Sequence, residues 1–328
     1  MKKNSIIIII AILVIAVIVI ALLSSEVLNK NSSNEPIRNE GYVDETAKAT
    51  GGKLDVNIND LFKSDVPTPS GDLKVYFFDV GQGDSIFVQN NDATMLIDAG
   101  NNPDGKYISK FLRKELGIKK IDYLIGTHPH EDHIGGIDII LQDFEIGTFF
   151  MPNRKVDNKS YTDVEKYATE KNVESISPSV GTKFKVGTAL CEIMTQNDKA
   201  EEINDTSIVV QLTFGSKKFL FTADLLGTGE ALRKWNDIDV LKVSHHGSTY
   251  SSQESFLEQV KPEIAVITCE KDNDYYYPHE AVLERLKDVK CNDVYITSTD
   301  GTILIESDGN SLRVTKDALP NVDFDGNK

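Results

Sequence analysis

With 328 residues, 40% of them apolar, and a formal net charge of −16, the chain is long enough to bury one large core or two modest ones. An exterior this acidic repels nucleic acid and anionic lipid at long range, so a polyanionic substrate would need a local positive centre such as a bound metal ion. The three cysteines, Cys191, Cys269 and Cys291, have no close spacing, which argues against a disulfide framework and against a thiolate zinc site.

At the start of the chain, Lys2 and Lys3 precede an unbroken apolar run from Ile6 to Leu23, about the length that crosses a bilayer. Residues 1–24 are therefore expected to form a transmembrane anchor, lysines inside, with the rest of the chain outside the cytoplasm. A cleavable signal segment, which would release a secreted protein, is the alternative, although Leu22 and Leu23 fit a cleavage site badly. Residues 25–70 turn polar and read as a linker, with Leu54 to Phe62 as a short strand or turn. Residues 316–328 read as a flexible tail.

Between these ends, residues 71–315 alternate strand-like and helix-like runs. Strands are expected at Leu73 to Asp79, Ser85 to Asn90 and Thr94 to Asp98, followed by a helix at Lys106 to Leu116 with Tyr107, Phe111 and Leu112 on one face. Ile121 to Thr127 reads as a buried strand, and Ile134 to Leu141 as a helix. Further strands are expected at Thr148 to Met151, Ala189 to Thr195, Ser207 to Phe214, Lys218 to Thr222, Asp239 to Ser244, Ile264 to Cys269, Asp293 to Thr297 and Thr302 to Glu306. Tyr161 to Lys171, Gly227 to Trp235, Gln253 to Val260 and Glu280 to Lys287 read as helices. So many strands interleaved with helices predict a layered α/β domain with helices on both outer faces.

Three of the six histidines and an aspartate crowd into Thr127-His128-Pro129-His130-Glu131-Asp132-His133, directly after an apolar strand. Imidazoles and carboxylates so placed suit a borderline-soft divalent cation, zinc being the first example. Two more candidates sit just past apolar runs: Asp224, which could equally be the N-cap of a helix starting at Leu225, and the pair His245-His246 before Gly247. His279, after Tyr277-Pro278, is either a site residue or a helix-start surface histidine. No phosphate loop with a following Lys-Ser or Lys-Thr is present, so a nucleotide cofactor is not expected.

Taken together, Phe77-Phe78-Asp79-Val80-Gly81-Gln82-Gly83-Asp84-Ser85, Leu96-Ile97-Asp98-Ala99-Gly100, His130-Glu131-Asp132-His133-Ile134-Gly135-Gly136, Asn204-Asp205-Thr206-Ser207 and His245-His246-Gly247-Ser248 resemble the C-terminal hydrolase domain of ComEC-type competence proteins. The resemblance runs from about Leu73 to Val314 and implies the metallo-β-lactamase fold, a four-layer αβ/βα sandwich. It further implies one or two divalent ions, zinc or manganese, and phosphodiesterase or nuclease activity on a phosphodiester such as DNA. The multi-pass channel of full-length ComEC proteins is absent from this sequence.

Carried over position by position, His128 and His130 would hold a first ion, Asp132 and His133 a second, Asp224 would bridge them, and His245 would complete the second site. A third histidine for the first ion is missing, and Asn204 or Asp205 is expected to face the metal or substrate instead. Asp132 and Asp224 would position the attacking water, with His246 or His279 offering a proton or a hydrogen bond to the phosphoryl oxygens. Asp79 and Asp98 would orient the ligating imidazoles, turn chemistry being the alternative for both. A hydrolase of thioesters, lactones, lactams or choline phosphodiesters, or a non-catalytic surface protein, are the competing functions.

Overall fold

The computed structural model describes residues 66–319. The predicted anchor, the linker as far as residue 65 and the tail from residue 320 lie outside them; among the described residues, no helix is long and apolar enough to cross a membrane.

In chain order, the described strands begin with β1 (Leu73–Phe77), β2 (Ile86–Asn90), β3 (Ala93–Ile97), β4 (Lys120–Ile125), β5 (Glu145–Phe150) and β6 (Ser175–Ile176). They continue with β7 (Lys183–Val186), β8 (Ala189–Thr195), β9 (Val209–Phe214), β10 (Lys217–Phe221) and β11 (Val240–Lys242). The last are β12 (Ile264–Ile267), β13 (Asp293–Ile296), β14 (Ile303–Ser307) and β15 (Leu312–Thr315). The α-helices are α1 (Asp104–Lys114), α2 (Glu131–Ile134), α3 (Ile137–Asp143), α4 (Lys159–Glu170), α5 (Gly227–Glu230), α6 (Glu254–Val260), α7 (Glu280–Asp288) and α8 (Thr297–Asp300).

These strands form an eight-stranded sheet ordered β15-β14-β1-β2-β3-β4-β5-β6 and a seven-stranded sheet ordered β13-β12-β11-β10-β9-β8-β7. Each is antiparallel in one half and parallel in the other: β3 to β6 run parallel in the first, β10 to β13 in the second. Alternation along the strands sets the layers, because successive side chains point to opposite faces. Val75 and Phe77 face Phe221, Leu212 and Val266 in a core shared by the two sheets. Their neighbours Tyr76 and Phe78 turn outward onto Tyr107, Ile108, Phe111 and Leu112, the apolar stripe of α1. The outer face of the second sheet is covered in the same way by Phe256, Leu257 and Val260 of α6 and Val282 and Leu286 of α7. The result is a mixed α/β sandwich with helices on both outer faces, as the alternation predicts.

Several expected elements differ. The helix expected from Ile134 to Leu141 is two, α2 and α3, because Gly135 and Gly136 lie against neighbouring backbone. A Cβ on Gly136 would sit 2.3 Å from the Ala99 carbonyl, so the chain passes too closely there for any other residue. The helix expected from Gly227 to Trp235 stops at Glu230, whose side chain turns away to accept from the Ser252 and Gln253 amides. Strands β6, β7 and β15 were not expected; β6 is two exposed residues, and β7 and β15 alternate over only four residues each, too short a run to register.

Candidate metal centre

Every candidate metal ligand, and His246 with them, leaves the C-terminal end of a parallel strand, the place where α/β sheets gather their sites. His128, His130, Asp132 and His133 follow β4, Asp224 follows β10, and His245 and His246 follow β11. Asp224 lies between the groups contributed by the two sheets.

One donor set forms around Asp224 Oδ1. His133 Nε2 lies 3.3 Å from it and His246 Nε2 3.5 Å. Asp132 Oδ2 is 3.3 Å from His246 Nε2 and 3.8 Å from His133 Nε2. Ligand atoms about 2.1 Å from a common centre, arranged tetrahedrally, stand about 3.4 Å from one another, so these spacings are those of a coordination shell. A second set forms around Asp224 Oδ2, with His128 Nε2 at 3.8 Å and His245 Nε2 at 3.7 Å. His130 Nδ1 lies 3.0 Å from His128 Nε2. Asn204 Nδ2 approaches His245 Nε2 at 3.4 Å, while Asp205 turns away to accept from Leu226 N and Thr228 Oγ1. Asn204, then, is the member of that pair that faces the cluster.

The expected assignment of His245 to the second site needs correction. His246, expected as a proton donor, stands with Asp132 and His133, whereas His245 stands 3.7 Å from the other oxygen of Asp224, Oδ2, outside the tight group that His128, His130 and Asp224 form. The reason is backbone geometry: His245 and His246 have φ of 50° and 55° and are followed by Gly247 at 86°, so consecutive side chains reach opposite oxygens of Asp224. Such left-handed non-glycine residues cluster at functional sites.

Hydrogen bonds behind the rings set which nitrogen faces inward. His246 Nδ1 donates to the Thr268 carbonyl at 2.8 Å, which turns Nε2 toward the cluster. Asp98 accepts from Thr127 N at 2.8 Å and Thr127 Oγ1 at 2.7 Å, and His133 Nδ1 lies 2.8 Å from the same carboxylate. Asp79 does not take part: its carboxylate accepts from Gly81 N in a turn. His279 also stands apart. Its Nδ1 accepts from Thr249 N, and it packs edge-on against Tyr277, which lines the cleft in its place.

Burial pushes His128, His130 and His245 below the ordinary imidazole value, so each is neutral and offers a lone pair. Burial acts the same way on His133 and His246 but is outweighed by Asp224 and Asp132, which hold both imidazoles up. In turn, these imidazoles hold Asp132 and Asp224 below the usual carboxylate range against their burial. Even so, His133 Nε2, His246 Nε2 and Asp224 Oδ1 are buried without a hydrogen-bond partner, as are His245 Nδ1 and Asn204 Oδ1. Unpaired buried polar atoms cost about 1–3 kcal/mol each, and a cation satisfies the three that converge. Nitrogen and oxygen donors without sulfur suit zinc and manganese alike.

Asp84 of the first motif and Lys242, which no motif reveals, brace the centre. Lys242, completely buried at the end of β11, pairs with Asp84 at 2.8 Å and donates to the Val243 carbonyl. Asp84 also accepts from Thr268 Oγ1 and stands 3.5 Å from His246 Nδ1. A lysine inside an otherwise apolar strand was the available signal. The centre opens into a cleft of about 680 Å³ whose walls include Asp104, Glu131, Glu270, Tyr275 and Tyr277.

The sequence pattern of the Metallo-beta-lactamase superfamily matches residues 78–269. ComE operon protein 3 of Bacillus subtilis (strain 168) is 31% identical over 261 residues, covering 72% of this chain and 33% of that protein. Recombination protein 2 of Haemophilus influenzae is 29% identical over 215 residues, 63% of this chain and 26% of that one. Competence protein ComA of Neisseria gonorrhoeae is 25% identical over 224 residues, 67% of this chain and 30% of that one. The chain therefore spans a third or less of the length of these relatives.

Proposed function

This chain belongs to the metallo-beta-lactamase superfamily, and from that premise we propose that it is a metal-dependent phosphodiesterase, with DNA among its substrates. The observation that carries the reading is the pair of donor sets sharing Asp224. In-line displacement at phosphorus needs charge neutralised on both the attacking and the leaving oxygen, and paired sites answer to both. Relatives bearing names from competence and recombination support a nucleic-acid phosphodiester.

A divalent ion in such a site supplies Lewis acidity and lowers the pKa of a coordinated water from about 15.7 to about 7. The chain's own groups do the positioning. His128, His130, His245 and Asp224 Oδ2 would hold one ion; Asp132, His133, His246 and Asp224 Oδ1 would hold the other. Asp132, the most exposed of the second set, uses its remaining carboxylate oxygen to orient the attacking water. Asp98 and the Thr268 carbonyl keep His133 and His246 from rotating out of register. The lysine-flanked apolar run supports a further part of the proposal, that the domain is tethered to the cell membrane and works outside the cytoplasm.

Hydrolysis of bis-p-nitrophenyl phosphate and single-stranded DNA, in zinc and in manganese, tests the activity. Both should be cleaved, and chelator or Asp224→Asn should lower the rate by at least about a hundredfold. Metal bound without cleavage of either, but with turnover of a thioester, lactone, lactam or choline phosphodiester, would overturn the substrate class. A chain that binds no metal would overturn the enzyme reading altogether.

A further inference from the structure

Beside the metal cluster, the cleft wall carries a column of rings. The His246 imidazole stacks on Tyr277 with centroids 6.3 Å apart and planes 27° apart, and Tyr277 stacks on Tyr275 at 5.4 Å and 15°. Tyr275 ends the column 60% exposed. The loop carrying both tyrosines is organised by the buried side chain of Asn273. Its amide nitrogen donates to the carbonyls of Glu270 (2.9 Å) and Tyr277 (2.7 Å), and its oxygen accepts from the amides of Tyr275 (3.1 Å) and Tyr277 (2.9 Å). The backbone that carries the rings is thus held in place before any ligand arrives, which reduces the ordering cost of binding.

Charge narrows what such a face can bind. The described residues lining the cleft include Asp104, Glu131 and Glu270 and no lysine or arginine. Affinity for a polyanion here cannot come from phosphate contacts along a strand, the usual source in nucleic-acid binding. Beyond the scissile phosphate itself, which the metal site would meet, it has to come from a neutral group nearby. Stacked rings in one column present a single flat face, which suits a nucleobase; a quaternary ammonium is better met by rings crossing at right angles around it. Base–aromatic stacking is worth about 1–3 kcal/mol per base and tolerates any sequence.

Resting on the phosphodiesterase reading above, we propose that the exposed face of Tyr275 is a nucleobase platform that makes the cleft selective for single-stranded, base-bearing phosphodiesters over duplex or base-free ones. In a duplex the base faces are already stacked, and the second strand would bring more phosphate against the carboxylates of the wall.

The test is equilibrium binding, by fluorescence anisotropy, of labelled hexathymidylate, its abasic counterpart and a hexamer duplex to the full-length chain, alongside Tyr275→Ala, Tyr275→Phe and Tyr250→Ala. Tyr250 is an exposed tyrosine off the cleft. Hexathymidylate should bind more tightly than the abasic strand and the duplex. Tyr275→Ala should weaken hexathymidylate by about tenfold and abolish its advantage over the abasic strand, while Tyr275→Phe and Tyr250→Ala keep that advantage. Equal binding of the base-bearing and abasic strands, tighter binding of duplex, or no effect of Tyr275→Ala would overturn the platform, as would displacement by a choline phosphodiester alone. Base-dependent binding without phosphodiester cleavage removes the hydrolase reading and leaves the platform; cleavage with base-indifferent binding does the reverse.

Discussion

Asp98 leaves β3 with a φ of 57°, a conformation costing a non-glycine residue about 1–3 kcal/mol, and in it the carboxylate meets both Thr127 donors and His133 Nδ1. An asparagine there carries a donor in place of one acceptor and cannot serve all three groups. Asp98→Asn should weaken metal binding by about 10–100-fold, measured by competition with a chromophoric chelator. Unchanged affinity would mean that His133 is held by packing alone. At this scale most of the centre was legible: His128, His130, Asp132 and His133 stand together in the sequence, and Asp224 follows a strand. What the letters did not show was which of His245 and His246 serves which side. Adjacent side chains reach opposite oxygens of one carboxylate only because both residues have positive φ, and nothing in a His-His pair announces that.

The elements beneath the centre are held by buried charge. Lys242 on β11 and Asp84 before β2 form an ion pair out of reach of solvent, and removing one member leaves the other unpaired. Lys242→Met should therefore destabilise the fold by about 3–5 kcal/mol, read as a shift in the urea midpoint. A shift below about 1 kcal/mol would show that Thr268 and water suffice for Asp84. Glu230 at the end of α5 is a different case: burial pushes its carboxyl up to about 7, although the Gln253 and Ser252 amides pull it back. Its native form holds a proton that the unfolded chain, titrating near 4.5, gives up. This contribution to stability is complete below about pH 4.5 and is lost as pH rises through about 7. In chelator, the wild type should lose roughly 3 kcal/mol relative to Glu230→Gln between about pH 5 and pH 8. Parallel pH profiles for the two proteins would contradict this. The helix expected to run to Trp235 ends at Glu230, whose buried side chain is committed to the amides at the start of α6, and periodicity carries no trace of a distant amide.

Across the whole molecule, the donor sets join two sheets. His128, His130, Asp132 and His133 come from the eight-stranded sheet, and Asp224, His245 and His246 from the seven-stranded one. A cation bound by both sides ties the sandwich at its rim and adds to stability by mass action, about 2.7 kcal/mol at a hundredfold excess over Kd. Stripping the metal should lower Tm by roughly 5–10 °C in calorimetry, and adding either zinc or manganese back should restore it. A Tm indifferent to chelation, with metal loss verified, would show that the sheets hold together without the centre.

The layered α/β class, the order of most strands and helices and the crowding of ligands after β4 were readable from the chain, because hydrophobic period and clustered histidines are local signals carried by neighbouring residues. Short edge strands, the split of α2 from α3, the division of labour between His245 and His246, the Lys242–Asp84 pair and the ring column ending at Tyr275 emerged only from three-dimensional packing. Each of those depends on groups remote in sequence meeting at one place, and the energies involved, from backbone contact at Gly136 to charge burial beneath His246, arise only after the two sheets have closed on each other.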